Sequence, residues 1–176
     1  MWMARLGVNL GVALQSPGAS GGSIDLGGQS LPLAPDLSIV VASFDATGSP
    51  VFAHAYGNAG LSELYQGGSI AVDAKNDIFV TGVFDKAIDF GGGKMVTPDK
   101  SKSLFVAELT STGAFVSQRS FGHQSLLYAT NPRVRLDGDR PLLIGDYRGN
   151  GLDFGQGALP SHEPGSYALF FARLAP

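Results

Sequence analysis

The chain has no cysteine among its 176 residues, which removes disulfides, thiolate metal sites and cysteine nucleophiles together and leaves the redox compartment open. Charge is scarce as well: Asp, Glu, Lys and Arg make up 15%, against about 25% in an ordinary soluble domain, while 44% of residues are apolar, so a buried core is expected rather than disorder. A net charge of −3 with no basic cluster gives no electrostatic footprint for nucleic acid. No apolar run approaches the ~20 residues that span a bilayer as a helix, so no membrane span is expected. Arg5, the stretch Leu6 to Leu14 and the small residues around Ala19 loosely follow a signal-peptide pattern. Asn9 interrupts that stretch and one basic residue precedes it, so the strand reading below is preferred.

What the chain has in excess is glycine, 25 residues, with 10 prolines, and frequent turn residues imply many short strands. The turns recur at a fixed interval. Ser23-Ile24-Asp25-Leu26-Gly27-Gly28 is matched by Ala87-Ile88-Asp89-Phe90-Gly91-Gly92 and by Gly151-Leu152-Asp153-Phe154-Gly155-Gln156, the aspartates being 64 residues apart in both steps (25 to 89, 89 to 153). Ile39 to Phe44, Leu104 to Leu109 and Leu169 to Leu174 recur every 65 residues (39 to 104, 104 to 169). Tyr56-Gly57 and Phe121-Gly122 keep the same 65-residue step. Three markers at one period define a structural repeat.

Within one period four strands, a to d, are expected. In the middle copy strand a is Ser69 to Asp73, and Asp73 to Asp77 forms a turn, since Asp and Asn bond their own backbone and tolerate left-handed geometry. Strand b, Ile78 to Phe84, and strand c, Leu104 to Leu109, are apolar without helical period, as strands covered on both faces are. Thr110 to Gly113 is a hairpin turn into strand d, Phe115 to Phe121, whose polar residues suit an outer edge. Short a-b and c-d turns, with Gly57 to Gly68 spent between repeats, fit four-stranded antiparallel sheets arranged around an axis, that is, blades of a β-propeller. The chain divides into a partial blade (1–57, strands b-c-d), a complete blade (58–122) and a second partial blade (123–176, strands a-b-c), about two and a half in all, opening at a strand b over Leu6 to Leu14. A propeller needs about 4 to 8 blades. Three arrangements follow: a fragment of a longer product, which is favoured, an assembly of several chains, or an open array with exposed edges.

The repeat resembles the bacterial β-propeller repeat of secreted and cell-surface proteins. The resemblance rests on Ile70-Ala71-Val72-Asp73, Asn76, Phe79-Val80-Thr81-Gly82, Ile88-Asp89-Phe90-Gly91-Gly92, Phe105-Val106-Ala107 and Thr112-Gly113, with Phe44-Asp45-Ala46-Thr47-Gly48 in the first copy. Phe52 and Ser117 stand where that family usually has tryptophan. Asn131 to Gly145 is a degraded copy whose Pro132 and Pro141 should weaken strand pairing. The resemblance implies an extracellular or cell-surface scaffold with no catalytic residues and no cofactor.

Candidate chemistry is sparse. Asp25, Asp89 and Asp153 could converge by pseudo-symmetry on a calcium ion, but calcium wants 6 to 8 oxygens and no dense acidic loop accompanies them, so a carboxylate capping its own turn is preferred. Asp137-Gly138-Asp139 is the nearest approach to an acidic loop and is better read as a turn. Gly18-Ala19-Ser20-Gly21-Gly22 matches the Gly-x-Ser-x-Gly hydrolase elbow without the strand and helix that motif requires. Gly91-Gly92-Gly93-Lys94 fails as a phosphate loop because Met95 replaces the needed hydroxyl. His54, His123 and His162 have no metal-ligand spacing. Lys94, Lys100 and Lys102 read as a solvated rim. The expected function is a non-enzymatic structural or binding scaffold with an unidentified protein or carbohydrate ligand, completed by further blades or by self-association. The alternatives are a propeller lyase or glycosidase and a calcium-stabilised adhesive repeat.

Overall fold

Each glycine-rich turn reverses an apolar run, so the chain builds antiparallel sheets from neighbouring segments. The computed structural model describes residues 2–6, 9–16, 22–28, 30–33, 38–57, 68–97, 102–122, 128–149, 152–160 and 166–175. These residues are all-β, with no helix among them.

The first sheet joins β1 (Trp2–Leu6), β2 (Asn9–Ser16), β5 (Ser38–Phe44) and β6 (Pro50–Tyr56) in chain order, interrupted only by a small ribbon of β3 (Ser23–Asp25) and β4 (Ser30–Pro32). The second repeats this plan with β7 (Gly68–Val72), β8 (Ile78–Asp85), β11 (Lys102–Leu109) and β12 (Phe115–Phe121), and its ribbon is β9 (Ala87–Ile88) with β10 (Met95–Val96). The third contains β13 (Tyr128–Asp137), β14 (Arg140–Arg148) and β15 (Ala168–Arg173), with an Asp153–Ala158 bridge where the others carry a ribbon.

Two expectations need correction. The first copy was expected to open at a strand b over Leu6 to Leu14. Instead β1 pairs with β2 from Leu6↔Asn9 to Trp2↔Ala13, so this sheet has four strands. Two residues separate β1 from β2, against five between β7 and β8; the shortened turn shifts β1 out of the repeat spacing. The prolines of the third copy also do less damage than expected, since β13 and β14 pair over most of their length. Pro132 falls within a register shift between Thr130 and Arg133. A proline has no ladder amide to lose at such a bulge.

The middle sheet is covered on both faces, which explains its unbroken apolar strands. Ile78, Val80 and Phe84 of β8, with Phe105, Ala107 and Leu109 of β11, pack toward Ile39, Val41, Phe52 and Tyr56 of the first sheet. The alternate residues Phe79, Val83, Leu104 and Val106 pack toward Val134, Leu143, Tyr147 and Phe170 of the third. Period-two alternation therefore sends half of each strand to each neighbour.

The two contacts are built from matching residues. Phe90 lies between Tyr56 and Phe105, with ring centroids 4.7 and 5.1 Å away. One repeat later Phe154 lies between Phe121 and Phe170, at 4.9 and 5.4 Å. In each case the last strand of one sheet reaches the Asp-turn aromatic of the next. At the opposite end the first strands come together, β7 contacting both β1 and β13.

Candidate functional site

The repeated aspartates sit at the start of their glycine turns, where the backbone turns back and would leave amides unpaired. Asp89 Oδ1 accepts hydrogen bonds from the amides of Gly91 (2.7 Å) and Gly93 (3.0 Å). Asp153 Oδ1 does the same for Gly155 (2.7 Å) and Gly157 (3.1 Å). Asp25 Oδ1 accepts from Gly28 at 2.7 Å. The turns need glycine because Gly91, Gly93, Gly155 and Gly157 all have φ near +100°. The three carboxylates thus belong to three separate turns, and among the described residues no group of three or more His, Asp or Glu side chains could hold a metal ion.

The Asp89 turn is further fixed by the outer strand. Gln118 of β12 accepts from the Phe90 amide at 3.0 Å and donates to the Gly93 carbonyl. The Phe115 ring lies over Gly91 and Gly92 so closely that a side chain at either would collide with it. In the first sheet Pro50 takes the place of Phe115, against Gly27. Above Gly155 of the third sheet the space is open.

The other carboxylate turns use the same device. Asp73 Oδ1 accepts from Lys75 and Asp77 amides, both at 2.8 Å. Asp45 Oδ1 accepts from the Thr47 hydroxyl (2.7 Å) and from the amides of Thr47 and Ser49. The Thr47 hydroxyl, then the Ser49 amide, hold its carboxyl below the usual range. In the second sheet Thr110 Oγ1 replaces the carboxylate and accepts from Thr112 and Ala114 amides.

A cleft of about 200 Å³ opens between the second and third sheets. Phe79 and Val106 contribute to its apolar lining, and Asp73, Lys75, Glu108, Ser117, Arg119 and Asp139 its polar part. Glu108 Oε2 accepts the Ser117 hydroxyl proton at 2.9 Å. Its volume is below the ~300–1,000 Å³ of typical ligand pockets, so a small polar group is the most it would enclose. Sequence reading did not find it because its walls come from the a-b turns of two repeats, from β11 and β12, and from the residues after β15. Only the fold brings them together.

His54 is exposed on β6, its Nδ1 3.1 Å from the Tyr56 hydroxyl and its ring between those of Phe52 and Tyr56. Burial pushes the Tyr56 hydroxyl up to about 12. Lys94 is exposed beside the Asp89 turn and Lys102 opens β11. Asp137 pairs with Arg173 at 2.7 Å across an exposed surface. Most of the Gly18 to Gly22 motif, the Gly57 to Gly68 connection beyond its two ends, and His123, His162 and Lys100 lie outside the described residues. No helix among the described residues is long and apolar enough to cross a membrane.

No protein-family model, curated protein or solved structure matches the chain.

Proposed function

We propose that this chain is a run of β-propeller blades serving as a non-enzymatic structural or binding scaffold of a bacterial surface or secreted protein. The observation that carries the reading is the paired aromatic clasp, Tyr56–Phe90–Phe105 and Phe121–Phe154–Phe170, which joins successive sheets through residues at matching repeat positions. Equivalent contacts between equivalent sheets generate a constant rotation from each sheet to the next. The mutual proximity of β1, β7 and β13 supports an axis on that side. The surface or secreted setting rests on the resemblance of the repeat alone. A scaffold fits the chemistry, because the recurring aspartates are committed to their own turns and the charged cleft is small. A binding role would use that cleft, whose walls change whenever one sheet shifts against the next.

The absence of cysteine makes a direct test simple. Ser30, Lys94 and Ala158 are exposed residues at matching positions, 64 residues apart (30 to 94, 94 to 158). Replacing them by cysteine in pairs, attaching spin labels and diluting the labelled chain into unlabelled protein gives three intramolecular distances. Blades around an axis place the 30–158 distance at about 0.7 to 0.92 of the sum of the other two, for rings of about 4 to 8 blades. A distance equal to that sum would mean a straight stack and would overturn the reading.

A further inference from the structure

The outward face of the third sheet reproduces, position for position, a face that the chain already uses twice. Ile39 and Val41 of the first sheet pack against the second, and Leu104 and Val106, 65 residues on, pack against the third. The next residues in this series are Leu169 and Phe171. They are 79% and 70% exposed, whereas each of the four earlier ones is at most 6% exposed. Ile144 pairs with Phe171 and Leu142 with Arg173, so the same face continues across β14.

The opposite end of the array shows a complementary deficit. Ile88 and Phe90 of the second sheet are 0% and 2% exposed beneath the first sheet, and Leu152 of the third is 0% exposed. Their counterparts in the first sheet, Ile24 and Leu26, are only half-buried. Val40 and Ala42 on β5 are already covered, so the open part of this end is the ribbon surface. One array therefore ends in an uncovered donor face and an uncovered acceptor face of the kind that meet twice inside it.

From this continuity we infer that a second copy of the chain covers both ends, the Leu169–Phe171 face of each copy docking on the Ile24–Leu26 face of the other. The inference rests on the propeller reading. With three sheets per copy, a two-fold pair closes a ring of six, inside the range that propellers adopt. The larger Phe171, where the other copies have Val41 and Val106, meets the smaller Leu26, where they have Phe90 and Phe154, so bulk moves across the contact without being lost. The third sheet has no described strand beyond β15 to supply a counterpart of Tyr56 or Phe121, so each contact is poorer than the internal ones. Three strands about 4.8 Å apart and about 20 Å long present about 300 Å² per side; formed twice, the contact totals about 1,200 Å², the lower limit for a stable assembly.

Sedimentation equilibrium of the intact chain from about 10 to about 500 µM covers the range in which so small an interface associates. The expected species at the top of the range is a dimer of twice 18.3 kDa. Phe171→Glu, Leu169→Glu and, on the other face, Leu26→Lys should each return it to monomer with an unchanged far-ultraviolet circular dichroism spectrum. A monomeric parent overturns the inference, as do assemblies larger than a dimer. A dimer broken by the Phe171 and Leu169 variants but indifferent to Leu26→Lys also overturns it, because two identical faces would then be meeting. The spin-label distances within one copy are independent of this outcome, so an arc of sheets in a monomer would reject the pairing and leave the blade reading standing.

Discussion

The second and third sheets are made of the same strands in the same order, yet they live in different environments. Both central strands of the second sheet alternate between two partners, and Phe84, Phe105, Leu104 and Leu109 are all 0% exposed. In β15 of the third sheet the alternation instead separates Phe170, at 3%, from Phe171, at 70%. Burial here is set by neighbours and not by the strand itself: residues of one type, one position apart, differ by their full solvent exposure. Apolar character on both faces of a strand is thus evidence for two partners, and where only one is in place the second face is left open.

The largest expected effect tests this contrast directly. Phe105→Ala, which empties a site packed by Phe84 and Phe90, should lower unfolding stability by about 3 to 5 kcal/mol. Phe171→Ala, measured by denaturant unfolding at concentrations too low for association, should change it by less than about 0.5 kcal/mol. Similar costs for the two would show that the open face is covered within one copy.

Two turn glycines sharpen the comparison. Gly113, at φ +83°, lies in the β11–β12 turn, and a side-chain carbon there would come within 2.6 Å of Phe52 Cδ2 on the first sheet. Gly138, at φ +66° in the β13–β14 turn, faces open space. Gly138→Ala should cost about 1 kcal/mol, the price of left-handed backbone alone, while Gly113→Ala adds a collision between sheets and should cost about 2 to 3 kcal/mol. Equal losses in thermal unfolding would mean that Phe52 swings away freely and that the first two sheets are loosely joined.

How much of this was legible beforehand depended on whether a residue's role was local. The expected strand d, Phe115 to Phe121, coincides with β12, and strands b and c of the middle copy match β8 and β11 to within two residues. Those segments combine β-branched and aromatic residues with strong turn signals. The Asp-glycine turns were legible for the same reason, since each carboxylate bonds amides two to four residues away. β1 was missed because its shorter connection breaks the period on which the reading relied. The cleft and the Gln118 clamp were not legible at all. Gln118 reaches Phe90 and Gly93 across 25 to 28 residues of chain, and its sequence neighbourhood reads only as a polar strand.

A titration compares the two internal contacts. Tyr56, at the first, is raised by burial to about 12, and burial also raises Tyr147, which donates to the Pro160 carbonyl at the second. Below pH 10 both folded and unfolded states keep the Tyr56 proton, and its contribution is intact. From pH 10 to about 12 the unfolded chain ionises first, so stability falls by about 1 to 2 kcal/mol after allowance for solvent at the ring edge, and the contribution is gone once the folded hydroxyl also ionises. Tyr56→Phe should remove its part of that slope in denaturant titrations across this range. A slope unchanged by the substitution would mean that Tyr56 is solvated and that the first contact is open at its rim.

The smallest difference concerns the repeated aspartates, and it separates a turn from a metal site. Asp89 holds a loop pinned by Gln118 and Phe115, so its two amides have few other partners; Asp89→Ala should cost about 1 to 2 kcal/mol, in the range of a lost backbone-capping carboxylate. Asp153 makes the same two bonds, but with open space above Gly155 the freed amides turn to water, and Asp153→Ala should cost about 0.5 kcal/mol or less. Asparagine keeps the accepting oxygen and should restore most of either loss. Calcium ligation predicts the reverse order of sensitivity, because removing the negative charge would be as harmful as removing the side chain, and a chelator would lower the melting temperature of the parent. An unchanged melting temperature with chelator, together with rescue by Asp89→Asn, assigns the carboxylates to the turns. A drop with chelator that Asp89→Asn reproduces would transfer them to a metal.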